Sequence, residues 1–128
     1  MDVAWRPGRG IPVANLPSVP GLYAEIEWET RGVRIGETGI SIRGKIRHDI
    51  AWFDGMHNGT APPQQLRRTL PIAIAAKKHG AAGFEFYVVS SDPRLRDKAI
   101  RQDAERFLFE WVAKHPTHVN WNLQRSWR

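Results

Sequence analysis

Between Gly21 and His48 the chain gathers side chains that could handle a phosphate group. Tyr23, Glu25, Glu27 and Glu29 alternate with Leu22, Ala24, Ile26 and Trp28, the period of two that marks a strand with one face buried. After Glu29-Thr30-Arg31-Gly32 the apolar face resumes at Val33 and Ile35, while Arg34 and Gly36 take the other side. A tight turn at Thr30-Arg31, with Gly32 supplying a positive φ, would pair Glu27 with Arg34, Glu25 with Gly36 and Tyr23 with Thr38. One face of this hairpin feeds a core. The other presents a phenol, carboxylates, a guanidinium and a glycine that leaves room beside Tyr23. The basic run Arg43-Gly44-Lys45-Ile46-Arg47-His48 follows. A guanidinium there can give two parallel hydrogen bonds to phosphate oxygens, and His48 is a candidate for proton transfer.

Gly21-Leu22-Tyr23, a ten-residue spacer and Arg34-Ile35-Gly36 resemble the signature of the GIY-YIG nucleases. In that family Gly-Ile-Tyr and Tyr-Ile-Gly are followed by an arginine on a helix, a glutamate on a later helix and an asparagine near the end. Here Glu105 is followed by Phe107, Leu108 and Phe109, then Pro116 and Asn120, so the similarity runs from Gly21 to Asn120. The resemblance implies a metal-dependent DNA endonuclease. Glu105 would hold one divalent ion, Mg²⁺ or Mn²⁺. Tyr23 would activate or orient the attacking water, once a nearby cation lowers the pKa of its phenol. Arg43, with Lys45 as contender, would bind the phosphate. Asn120, with Asn122 as its rival, would complete the set. Arg34 stands where the family has its second tyrosine; it keeps a hydrogen-bonding group there but no hydroxyl. Tyr23, Glu105 and one basic residue of the 43–48 helix are expected to meet in one pocket near Asn120. The alternative is a basic nucleic-acid-binding module on the same scaffold that has lost catalysis, which the substitution at Arg34 favours.

Composition agrees with a polyanionic partner. The 128 residues carry 19 Lys and Arg against 13 Asp and Glu, a net charge of +6. Arg43, Lys45 and Arg47 form one local group of backbone-binding candidates, and Arg67 and Arg68 a second. An apolar content of 41% is that of a globular chain. The absence of cysteine excludes disulfides and thiolate-bound zinc. No apolar run approaches the length needed to span a bilayer, and the N-terminus lacks a signal-peptide core. The expected setting is cytoplasmic.

The elements that must position these groups follow in order. Residues 1–20 contain Pro7, Pro12, Pro17 and Pro20 and read as an extended arm pinned by Trp5 and Val13. Residues 21–128 read as a single domain. Ser41 is the expected N-cap of a helix to about Asp54, with Ile42, Ile46, Ile50 and Phe53 as its buried stripe. A loop from Gly55 to Pro63, a short helix over 72–78 and a strand over 84–89 come next. The last helix ends near His115 and has Ile100, Ala104, Phe107, Leu108 and Trp111 as its apolar stripe. The order is β-β-α-α-β-α. The class is α+β, with a small three-stranded, mainly antiparallel sheet flanked by helices.

Overall fold

The hairpin is the centre of a sheet whose two faces are both covered. A computed structural model describes residues 2–5, 13–60, 71–114 and 119–121, so Arg67, Arg68, Pro116 and Asn122 lie outside the described residues. The strands are β1 (Asp2–Trp5), β2 (Gly21–Glu27), β3 (Gly32–Thr38), β4 (Phe84–Ser90) and β5 (Val119–Asn120). Their order across the sheet is β1-β4-β2-β3-β5. The antiparallel trio β4-β2-β3 is the expected three-stranded core. β1 adds an antiparallel edge on β4 and β5 a parallel edge on β3. The helices are α1 (Ile42–Asn58), α2 (Pro71–His79) and α3 (Lys98–Lys114).

Two cores form because the strand pleat sends alternate side chains to opposite faces. On one face Tyr23, Phe84 and Phe86 pack with Ile42, Ile46, Trp52 and Phe53 of α1 and with Ile72 and Ala76 of α2. On the other, Ala24, Val33 and Ile35 pack with Phe109 and Val112 of α3. The face expected to be open and polar is therefore buried: Tyr23, Glu25 and Glu27 are each 1% exposed.

The hairpin register differs from the expectation by two residues. Tyr23 pairs with Gly36, Glu25 with Arg34 and Ile26 with Val33. Glu27 is the cause. Its carboxylate accepts from the backbone N–H of Glu29 and Thr30 and from the Thr30 hydroxyl, at 2.9, 3.0 and 2.6 Å. That cap lengthens the turn and takes Glu27 out of any pairing with Arg34. The positive φ, +63°, falls on Arg31 instead of Gly32. Gly32 is needed for closeness, since a Cβ there would lie 2.1 Å from the Trp121 ring.

α1 begins after Ser41, whose hydroxyl accepts from Gly44 N–H at 3.0 Å, and it runs through Gly55 to end on Gly59 at φ +77°. The described residues before Gly21 are built into the domain. β1 pairs with β4, Val13 packs against the core, Leu16 is 0% exposed, and the carbonyls of Pro17 and Val19 accept from Arg43 and Ile42 N–H. α3 is rotated relative to its expected stripe. Arg101, Phe109 and Val112 are buried, whereas Ile100, Phe107 and Trp111 are 46, 65 and 49% exposed. The rotation follows Arg101, which donates through Nε to Glu37 and through Nη1 to the Leu95 carbonyl at 3.1 Å.

Gly36 is the point where the two strands of the hairpin leave no room for a side chain beside Tyr23. A Cβ there would sit 2.2 Å from Tyr23 Cζ. Gly36→Ala should destabilise the protein by about 1–3 kcal/mol through overpacking, measured by urea denaturation. Unchanged stability would show that the Tyr23 ring can move aside.

Candidate active site

The Tyr23 face of the sheet carries a small charged cleft. Arg34 comes from β3, Glu25 from its paired position on β2, and Lys45, His48, Asp49 and Trp52 from α1. These six line a cavity of about 90 Å³, closed by Phe53 and Ile72. Arg34 Nη1 donates to Glu25 Oε1 at 3.0 Å and to the Tyr23 hydroxyl at 3.4 Å, and lies 3.8 Å from Asp49 Oδ2. Lys45 Nζ is 3.5 Å and His48 Nδ1 3.2 Å from Asp49 Oδ1. The carboxylates form the buried floor; Arg34 and Lys45 form a cationic, partly exposed rim, with the exposed His48 imidazole beside them.

Electrostatics divide the two carboxyl groups. Arg34 faces both, and Lys45 adds a charge only on the Asp49 side. Glu25 is held well above the usual carboxylate range, first by burial and then by Asp49, with Arg34 opposing. Asp49 is held below its usual value: burial acts to raise it, but hydrogen bonding with Glu25 and the charges of Lys45 and Arg34 outweigh burial. These directions favour a proton on Glu25 over one on Asp49. Two buried oxygens, Glu25 Oε2 and Asp49 Oδ2, have no hydrogen-bond partner, and a proton held between the two carboxyl groups would supply one. Burial pushes the Tyr23 phenol far up, against the pull of Arg34. Arg34 is held still more firmly in its charged form: burial opposes this, but Glu25, Tyr23 and Asp49 outweigh it.

Of the residues expected to act, the structure brings Tyr23, Arg34, Lys45 and His48 together. Arg43 is set apart, with its Nε committed to the Leu16 carbonyl at 2.9 Å. Lys45, one turn before Asp49, is the basic residue of this helix that reaches the cleft, and Arg47 is exposed. Glu105 does not meet Tyr23, because α3 covers the Ala24 face and Tyr23 projects to the α1 face. Nor does it merely border a buried stripe; it shares a helix face with Arg101 and Phe109, four residues to either side. Asn120 lies in β5, at the sheet edge beside Val33. Arg67 and Arg68 fall outside the described residues.

Glu25 and Asp49 are the site residues that sequence reasoning passed over. Asp49 had a signal. With Ile42, Ile46 and Phe53 it completes a 4-3-4 spacing, and it is 7% exposed, whereas Ile50 sits beside that line. A carboxylate on an apolar stripe marks a buried polar contact.

The cleft carboxylates do not fit the divalent ion that the resemblance implies for Glu105. Among the described residues, no three His, Asp or Glu side chains gather as ligands. The cleft carboxylates already face Arg34 and Lys45, whose charges oppose a dication.

No model of a known protein family matches the sequence, and no curated protein matches it. Among solved structures, the chain is similar to the catalytic domain of the homing endonuclease I-TevI. The match covers 81% of this chain and 97% of that domain, with a TM-score of 0.56 and 15% sequence identity. At that identity the likeness is one of fold, the α+β arrangement described above. No helix among the described residues is long and apolar enough to cross a membrane.

The shared proton gives a pH signature. The raised Glu25 pKa means that the unfolded chain loses this proton first, from about pH 4.5, so stability falls as pH rises from there through the folded-state value. Asp49 acts oppositely and only in acid, below its ordinary 3.8. Glu25→Gln fixes the neutral form, so its melting temperature should gain on the parent's as pH rises above about 4.5, until the folded-state Glu25 has titrated. A constant deficit at every pH would instead mean that Glu25 is ionised throughout.

Proposed function

We propose that this chain is an endonuclease that hydrolyses DNA phosphodiester bonds, with its reacting centre at the Arg34–Lys45–His48–Asp49 cleft. The observation that carries the reading is one juxtaposition: two cations and a carboxylate-bound imidazole share the mouth of a single cleft. The similarity of fold to a homing endonuclease catalytic domain supports it, as does the net charge of +6.

The chemistry follows from the groups present. Arg34 and Lys45 would take the non-bridging oxygens and the charge that builds on them in the transition state. Asp49 holds His48 at Nδ1, leaving Nε2 to take a proton from water or to give one to the departing oxygen. Glu25, protonated, keeps Asp49 oriented. Tyr23 supports Arg34 from beneath; its buried, high-pKa hydroxyl suits a hydrogen-bond acceptor rather than a base.

A second reading, nucleic-acid binding without cleavage, is favoured by the internal pairing of both rim cations with Glu25 and Asp49. Supercoiled plasmid distinguishes the two, incubated with magnesium, manganese or a chelator. The parent should nick it, and Lys45→Ala and His48→Ala should each lower the rate by about 100-fold or more. Glu105→Ala should remain near parental. Loss of nicking in Glu105→Ala, with Lys45→Ala and His48→Ala unaffected, would move the centre to α3. A parent that binds but never nicks establishes the binding module.

Binding itself should be electrostatic and sequence-tolerant. DNA affinity should fall steeply between low and physiological salt, with or without metal. A flat salt profile in fluorescence anisotropy would reject a phosphate-directed surface.

A further inference from the structure

Among the described residues, three buried side-chain polar atoms have no hydrogen-bond partner within the protein: Glu25 Oε2, Asp49 Oδ2 and Trp52 Nε1. All three belong to residues that line the cleft. They are also neighbours. Glu25 and Asp49 meet carboxyl to carboxyl. Trp52 follows Asp49 by three residues on α1, which puts the two side chains on one face of the helix about a turn apart. A proton held between the acids serves oxygens only. The indole nitrogen is a donor and nothing else, so Trp52 needs an acceptor. Its ring is 7% exposed and packs edge-on against Phe53 at 5.5 Å. A buried N–H without an acceptor is costly, and no described side chain or carbonyl supplies one.

Charge decides what can stand there. An anion would face two acids. A cation would face the indole N–H, Arg34 and Lys45. A neutral molecule that accepts one hydrogen bond and donates another meets both needs. The cavity of about 90 Å³ exceeds the roughly 10–15 Å³ that one water requires. We propose that the floor of the cleft holds an ordered water that accepts from Trp52 Nε1 and donates to Asp49 Oδ2. That oxygen has two lone pairs, so it can take the water beside a proton shared with Glu25. Without the water its cationic neighbour is Arg34 at 3.8 Å, too far for a hydrogen bond. With it, Asp49 is tethered at both oxygens, since Oδ1 already meets His48 Nδ1 at 3.2 Å and Lys45 Nζ at 3.5 Å. Two tethers fix the plane of the carboxylate, and that plane fixes the imidazole it holds. Trp52 is then a positioning residue, acting on His48 through the water and Asp49. The water site stands on the cleft's geometry; the positioning role rests on the nuclease reading.

A crystal structure of the whole chain should show a density peak within hydrogen-bonding reach of both Trp52 Nε1 and Asp49 Oδ2. Trp52→Phe keeps an aromatic ring against Phe53 and removes only the donor, so its structure should lack the peak. In plasmid nicking, Trp52→Phe should lower kcat roughly tenfold while the half-saturating DNA concentration is kept. A mere packing loss would lower the melting temperature and leave the kcat of the folded protein alone. A parent structure in which Trp52 Nε1 donates to a protein acceptor, or meets no peak, overturns the water site, and that measurement needs no variant. A peak in the parent with kcat unchanged in Trp52→Phe overturns the positioning role. A peak in a parent that never nicks DNA upholds the water site and overturns the nuclease reading.

Discussion

One guanidinium holds the α1 side of this protein together. From β3, Arg34 reaches β2 and α1 at once, meeting Glu25 and the Tyr23 hydroxyl across the hairpin and Asp49 on α1. A buried carboxylate without such a partner is very costly, so Glu25 and Asp49 depend on it. Removing Arg34 would leave two acids and one tyrosine facing each other in a dry space. The position is also the one at which the chain departs from the tyrosine of the nuclease signature. A phenol there could not have neutralised Glu25. The departure and the buried acids belong to one arrangement.

Much of the fold was legible because its signals were local. The alternation from Leu22 to Trp28, the cap at Ser41 and the aromatic, β-branched run from Phe84 each record a nearest-neighbour preference. The failures came where a side chain overrode the pattern from a distance. Glu27 folded back on its own turn and shifted the hairpin by two residues. Arg101 bonded Glu37 on β3 and turned α3, exposing the stripe that looked most like core. Apolar spacing on α3 fitted two faces about equally, and sequence alone holds no record of which one the sheet takes.

The site was legible in part for the same reason. Arg34 and Tyr23 sit on one strand face by pleat, and Lys45 and His48 are on the helix that follows; both facts are local. Glu105 was tied to them only by motif order, and order along a chain does not say which side of a sheet a helix covers. Asp49 was missed because Ile50, its apolar neighbour, took its place in the expected stripe. Its neighbours at the helical repeat, Ile46 and Phe53, are buried.

The carboxylate floor also changes what a salt titration of DNA binding would count. Lys45 and Arg34 rest against Asp49 and Glu25, which act as counterions fixed to the protein. A phosphate arriving at the rim would displace these tethered acids as well as dissolved ions. Tethered acids return no mixing entropy to the solution when displaced, and their effective concentration does not vary with added salt. The slope of log affinity against log salt would then understate the number of cations touching the backbone. The cleft would keep more of its grip in a concentrated electrolyte than a bare cluster of lysines, while drawing DNA in less strongly from afar.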